Sequence, residues 1–218
     1  MEDTFKHKGW RQQMVTKLAA KGISDQRVLD AIGAVPRHLF LETMLDYVAY
    51  EDMALPIRCG QTISQPSTVA FQSELLDAEP DMKVLEVGTG SGYQTAVLCQ
   101  MGLKVFSIER QKELFDVTKP LLAKLGYRAK CFLGDGFHGL PEYGPFDRII
   151  ITCGAPYIPA DLARQLKVNG VMVIPIGGKS QEMVRVVKTG EGPDDLLQQR
   201  YGDCKFVPML EKDVRCLT

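Results

Sequence analysis

Short apolar runs alternating with amphipathic stretches from residue 83 onward predict an α/β fold: a Rossmann-like, mostly parallel sheet with helices on both faces. Two further observations point the same way. Val84-Leu85-Glu86-Val87 opens into Gly88-Thr89-Gly90-Ser91-Gly92-Tyr93, a strand breaking into a glycine-rich loop ahead of a helix. Acidic residues, Glu109 and Asp135, then stand at the ends of the next two strands, around a switch point in the sheet.

Ahead of the sheet, Trp10, Met14, Val15 and Leu18 fall on one side of a helix that stops near Gly22. Ser24 or Asp25 can cap a second helix carrying Val28, Leu29 and Ile32, which ends before Val35-Pro36-Arg37. Residues 38–66 read as loop-rich, with extended pieces around 54–57 and 62–64. A helix from 66 to about 77 follows, since proline is tolerated in a first turn. Strands at 83–87, 104–108, 130–133, 147–152 and 170–176 then alternate with helices at 92–101, 111–125 and 159–166. Pro120 should kink or break the second of these helices near Thr118. Residues 181–189 and 197–208, joined by Gly190-Glu191-Gly192-Pro193, form an antiparallel C-terminal edge. The whole chain, 1–218, is expected to be one domain. It comprises an N-terminal helical and substrate-loop extension (1–80), a cofactor-binding core (81–178) and C-terminal strands (179–218).

With 45% hydrophobic and 24% charged residues, a chain of this length buries a substantial core. Its 26 basic and 27 acidic residues leave a net charge of −1, so no overall field draws a polyanion and no nucleic-acid partner is expected. The six cysteines, 59, 99, 131, 153, 204 and 216, include no Cys-x-x-Cys pair and no histidine at zinc spacing, so no metal is expected. The polar start, Met-Glu-Asp-Thr-Phe-Lys-His-Lys, does not read as a signal peptide. No apolar run approaches the ~20 residues of a membrane helix. A cytoplasmic monomer without a membrane partner is the expectation.

The glycine loop admits two cofactor classes. A dinucleotide site wants a third glycine where this chain has Tyr93, and its pyrophosphate would sit badly beside Glu86. S-adenosylmethionine has no phosphate and carries two positive groups, so Glu86 suits it. Gly88, Gly90 and Gly92 are then needed because a Cβ would block the ligand or forbid the turn. Glu109 can accept both ribose hydroxyls, and Asp135-Gly136 can meet the adenine. Upstream, Gly60-Gln61-Thr62-Ile63-Ser64-Gln65-Pro66 has a plainer reading, in which Ser64 or Thr62 caps the helix starting near Pro66.

Taken together, Val35-Pro36-Arg37-His38-Leu39-Phe40, Tyr50-Glu51-Asp52-Met53-Ala54-Leu55-Pro56-Ile57, Thr62-Ile63-Ser64-Gln65-Pro66, the glycine loop, Gly134-Asp135-Gly136, Ile158-Pro159-Ala160-Asp161-Leu162, Val173-Ile174-Pro175-Ile176-Gly177 and Phe206-Val207-Pro208 resemble the protein-L-isoaspartate O-methyltransferase family. The glycine loop is common to many methyltransferases; Val-Pro-Arg and Thr-Ile-Ser-Gln-Pro are specific to this one. The resemblance covers nearly the whole chain. It implies methyl transfer from S-adenosylmethionine to isoaspartyl residues of damaged proteins and peptides. Ser64 is then the active-site serine, with Thr62, Ile63, Gln65 and Pro66 on the substrate side. Glu86, Glu109, Arg110, Asp135 and Gly136 are assigned to the cofactor. Two departures bear on substrate preference: Ser67-Thr68 replaces an aromatic or His followed by Met, and Leu210 stands where some members carry Thr.

Such an acceptor carboxylate is ionised at pH 7 and needs no strong base, so His7, His38 and His138 are expected to be structural or at the surface. Ser64 should orient the acceptor and not act as a nucleophile, since no His–Asp partner motif accompanies it. Gly60 is expected to hinge the loop that closes over the site. A nucleic-acid amino-methyltransferase would want Asp/Asn-Pro-Pro-aromatic where this chain has Thr152-Cys153-Gly154-Ala155-Pro156-Tyr157. Two alternatives stay open: a small-molecule acceptor on the same framework, and a non-catalytic cofactor-binding homologue.

Overall fold

Two helices lead the computed structural model, which describes residues 2–210. Helix α1 (Phe5–Ala20) starts from Thr4, whose hydroxyl accepts the His7 N–H while the His7 ring takes the Thr4 N–H, a reciprocal cap. Its buried face is His7, Arg11, Met14 and Leu18, rotated from the apolar stripe that includes Trp10 and Val15. Polar residues occupy the buried face because each finds partners. Arg11 grips the Asp3 carboxylate at 2.9 and 3.0 Å and donates to the Gly33 carbonyl at 2.7 Å. Helix α2 (Gln26–Ala34) is capped by Asp25, which accepts the Arg27 N–H at 2.8 Å.

Residues 37–60 are more ordered than a loop: short 3₁₀ turns form at Arg37–Phe40, Thr43–Val48 and Arg58–Gly60. A two-residue antiparallel hairpin, β1 (Leu55–Pro56) with β2 (Thr62–Ile63), leads into α3 (Pro66–Leu75).

The sheet contains β3 (Lys83–Val87), β4 (Lys104–Glu109), β5 (Lys130–Leu133), β6 (Phe146–Ile151), β7 (Leu166–Gly177), β8 (Gln181–Lys188) and β9 (Leu196–Cys204). Helices α4 (Tyr93–Gln100), α5 (Lys112–Lys124) and α6 (Ala160–Gln165) connect the parallel strands. The order is β5-β4-β3-β6-β7-β8-β9; β5 to β7 run parallel and the last two strands add antiparallel. Winding reverses between β3 and β6, which opens a crevice at the strand C-termini. One apolar cluster lies between the sheet and the N-terminal helices and holds Val84; a second, on the opposite face, holds Leu85 and Val87. Strand alternation therefore sends Glu86 to the same face as Val84, beneath α4.

Three expectations need correction, the first being the last strand, expected over 197–208, which spans only Leu196–Cys204. Helix α5 runs through Pro120 without a break. Leu114, Thr118 and Leu122 form one buried face on both sides of the proline, and Thr118 Oγ1 donates to the Gly90 carbonyl at 2.7 Å. Pro120 and Asp116 are both exposed, so water can serve the carbonyl that loses its donor. Strand β7 begins at Leu166, not near 170, directly after α6, and a register shift between Phe146 and Arg148 accommodates the early start. The buried Lys188 Nζ donates to the Ala163 and Leu166 carbonyls at 3.0 and 2.9 Å, closing the end of α6. Among the described residues no helix is long and apolar enough to cross a membrane, and the five described cysteines are free thiols; Cys216 lies outside them.

Candidate active site

Loops after β3, β4 and β6, the 61–64 segment and residues 207–210 enclose a cavity of about 860 Å³, counting space open to solvent. The three glycines serve it differently. Gly90 (φ +52°) lines the cavity and donates its N–H to Glu109 Oε2 at 2.7 Å. Gly88 (φ +101°) also lines it, yet a Cβ there would strike Thr152 Oγ1 at 2.5 Å, the hydroxyl that donates to the Gly88 carbonyl. Gly92 (φ +87°) is the N-cap of α4; a Cβ there would meet Thr118 Cγ2 at 2.7 Å. At the outer two positions neighbouring side chains of the protein exclude a Cβ.

Glu109 ends β4 buried, its Oε1 accepting the Gln111 N–H at 2.8 Å while Oε2 holds Gly90. Each oxygen keeps a second lone pair for a ligand hydroxyl. Arg110 lines the cavity and donates from Nη1 to the Leu210 carbonyl at 2.9 Å and to Asp135 Oδ2 at 3.3 Å. Asp135 stands behind it, lining a neighbouring hollow with Phe137, His138 and Tyr157. Gly136 does reach the cavity, where a Cβ would press on Val87 Cγ1 at 2.5 Å and Met209 Cε at 3.1 Å.

Glu86 departs from the picture of an anion beside a cationic ligand. It is fully buried, is not among the residues lining the cavity, and accepts from Thr95 Oγ1 at 2.5 Å. Its other oxygen, Oε1, has no hydrogen-bond partner. Burial pushes its pKa up to about 8, so at neutral pH it is a neutral acid beneath the loop.

Thr62, Ile63 and Ser64 all line the cavity. The helix-capping reading of Ser64 fails: Gln65 takes the N-cap position of α3 with no side-chain cap, and Pro66 is the first helical residue. The Ser67 N–H goes instead to Asp52 Oδ1 at 2.8 Å, and Gln65 Nε2 donates to Ser67 Oγ at 2.9 Å. Ser64, half-buried, thus faces the cavity with its hydroxyl uncommitted to any cap. Of the two departures from the family pattern, Leu210 lies on the cavity wall; Ser67-Thr68 lie on α3 outside it.

Tyr93, Gln94, Thr152, Cys153 and Met209 also line the cavity, none of them a site residue expected from the sequence. Thr152 and Cys153 follow β6 at the switch point, a position that could have flagged them. Burial pushes the Cys153 thiol up to about 12, so it is inert. Met209 carries no such signal. It arrives because the Gly154 N–H donates to the Val207 carbonyl and the Met209 N–H to the Gly154 carbonyl, both at 2.8 Å. The histidines behave as expected: His7 and His38 are buried and stacked at 3.9 Å, and His138 is exposed beside Asp161.

A glycine loop at the switch point, a carboxylate closing the next strand and a hydroxyl-bearing loop across the mouth define a Rossmann-like methyltransferase. The family model described as protein-L-isoaspartate(D-aspartate) O-methyltransferase matches residues 9–214. The protein-L-isoaspartate O-methyltransferase of Christiangramia forsetii is 55% identical over 97% of this chain and 99% of its own length. That of Cytophaga hutchinsonii is 52% identical over 98% and 96%. Among solved structures, a protein-L-isoaspartate O-methyltransferase superposes with a TM-score of 0.83 at 28% identity, covering 91% of this chain and 65% of that longer one. A putative member from Plasmodium falciparum, in complex with S-adenosyl-L-homocysteine, gives 0.76 at 25% identity over 92% and 98%. The chain belongs to the protein-L-isoaspartate(D-aspartate) O-methyltransferase family.

Proposed function

We propose that this chain transfers the methyl group of S-adenosylmethionine to the free α-carboxylate of L-isoaspartyl residues in damaged proteins and peptides, the first step of their repair. The observation that carries this reading is that Ser64, released from any capping duty, faces the same cavity as Gly90 and Glu109. The residues present suit the cofactor. Glu109 offers free lone pairs at the cavity wall, and Gly136 lines the same wall at a position where Val87 and Met209 exclude any Cβ. In this reading Gly88, Gly90, Glu109, Arg110 and Gly136 hold the cofactor. Asp135 acts through Arg110, and Glu86 and Gly92 shape the loop from behind. Thr62, Ile63 and Ser64 meet the acceptor, while Gln65 and Pro66 anchor their loop to α3.

Bound S-adenosylmethionine supplies an electrophilic methyl group. The protein's task is then positioning. The acceptor carboxylate is already ionised at neutral pH, so no base is required. Ser64 hydrogen-bonds that carboxylate or its neighbouring amide and holds the oxygen in line, an arrangement able to supply ~7–11 kcal/mol. The net charge of −1 supports the further reading that nucleic acid is not a partner; with it goes a monomer acting on protein and peptide substrates in the cytoplasm, apart from membrane, and light scattering checks the monomer.

Incubation with methyl-labelled cofactor, an isoaspartyl peptide and its normal aspartyl twin tests the function. Label on the isoaspartyl peptide alone is the expected result. Label on neither peptide, with cofactor still bound, would overturn it.

A further inference from the structure

Val35-Pro36-Arg37 is a family-specific motif with no part in the chemistry above, yet Arg37 carries a charge into the interior with none of its side chain exposed. Burying a guanidinium costs several kcal/mol unless its donors are well used. Desolvation lowers its pKa to about 10, which leaves it charged at neutral pH. Its donors meet backbone carbonyls: Nε donates to Ala49 at 2.9 Å and Nη2 to Met53 at 3.4 Å, while Nη1 has no partner. The guanidinium lies over the ring of Tyr93, 4.8 Å from its centroid. Tyr93 opens α4 at the end of the glycine loop and lines the cavity.

Ala49 and Met53 bracket Asp52. Asp52 Oδ1 accepts the Ser67 N–H at 2.8 Å in the first turn of α3, and its other oxygen meets Lys21 Nζ at 2.5 Å. Ser67 lies three residues beyond Ser64. Contacts therefore run from the glycine loop through Tyr93, Arg37, the 49–53 segment and Asp52 to the Ser64 loop. We propose that Arg37 is a positioning residue for methyl transfer, fixing the Ser64 loop against the cofactor loop by stacking on Tyr93 while holding the two carbonyls that bracket Asp52. This rests on the reading of Ser64 as the acceptor-side residue. Lysine cannot substitute, because it lacks both the planar face and the forked donors.

The test compares the wild-type chain with Arg37→Lys, Asp52→Ala, which removes the acceptor of the Ser67 N–H, and the double variant. Hydrogen exchange is followed at the amides of residues 62–65 and 67 with and without S-adenosylhomocysteine. In the wild type the cofactor product slows this exchange; in either single variant it still binds but no longer slows it. With the isoaspartyl peptide, kcat falls about tenfold to a hundredfold while peptide KM changes little, as expected of a misplaced acceptor. The two substitutions do not add, because they interrupt one chain of contacts. Exchange that stays coupled in both single variants, or no coupling in the wild type, overturns the proposal. So do kcat losses that simply multiply. Should Arg37→Lys fail to fold, Asp52→Ala decides alone, since it cuts the same chain of contacts at its Ser67 end and its side chain is only partly buried. If the wild type leaves the isoaspartyl peptide unmethylated, the acceptor reading fails, and the exchange data still decide whether Arg37 couples the loops.

Discussion

Between β3 and α4 the glycine loop is held by its nearest neighbours in the sheet, whereas the Ser64 loop is held from far away. Gly88 and Gly90 bond to Ile108 and Glu109 of the adjacent strand, and Thr152 at the end of β6 closes the other side. Across the cavity, β1 and β2 are two residues each, and the chain turns left-handed at Cys59 (φ +57°) and Gly60 (φ +64°). The anchor at Ser67 is Asp52, itself steadied by Lys21 of the segment after α1. A cofactor site built on strand ends is a rigid cradle. In the proposed reading the Ser64 loop meets the acceptor, and a loop with few hydrogen bonds of its own can adjust and release product, as low local stability permits.

That contrast breaks first at Gly92. Gly92→Ala adds a left-handed cost and a clash with Thr118, together about 3 kcal/mol. A melting scan should show a fall of roughly 6–12 °C, with weakened cofactor affinity. Across the cavity, Ser64→Ala removes a hydrogen bond to a charged acceptor, worth about 1.5–3 kcal/mol, so turnover falls tenfold to about a hundredfold. Cofactor affinity and melting temperature should hold; a loss of stability at normal turnover would return Ser64 to a scaffold role. Gly60→Ala sharpens the comparison: the position is open, with no atom within 4 Å of a Cβ, so only the left-handed backbone is penalised. About 1 kcal/mol is expected, a drop of roughly 2–4 °C.

Glu86 gives the smallest effect in acid and a growing one as pH rises. Its pKa is raised to about 8 in the fold from an ordinary 4.5. The folded state therefore keeps a proton that the unfolded chain releases. This stabilisation is fully present below about pH 4.5 and is lost as pH climbs through about 8. Glu86→Gln removes the dependence, so the variant's melting temperature should gain on the wild type between pH 5 and pH 8. A constant difference across that range would show Glu86 ionised in the fold throughout.

The sheet was legible because its strands and helices follow local period and glycine punctuation, and the observed bounds lie mostly within a residue or two. Legibility stopped where polar residues are buried. The inner face of α1 includes His7 and Arg11, which no apolar pattern marks, because partners distant in sequence satisfy them. Pro120 misled because a buried face on α5 outweighs one lost hydrogen bond. Glu86 and Glu109 look alike in sequence as acids at strand ends. One is sealed beneath α4 and the other opens on the cavity; both point to the same face of the sheet, but Glu86 pairs with Ser107 inside the ladder whereas Glu109 lies one residue past the end of β3, at the crevice.

Taken alone, the sequence determined the doubly wound sheet, the glycine loop at its switch point and, through family-specific motifs, the methyl acceptor. These depend on spacing within a few residues, which local geometry turns directly into structure. Tertiary structure alone decided which carboxylate faces the cavity, that Ser64 is free of capping and that Met209 closes the cavity. It also decided that Arg37 bridges the two loops. Each of those is a contact between segments far apart in the chain, set by how the layers pack and carrying no periodic signal.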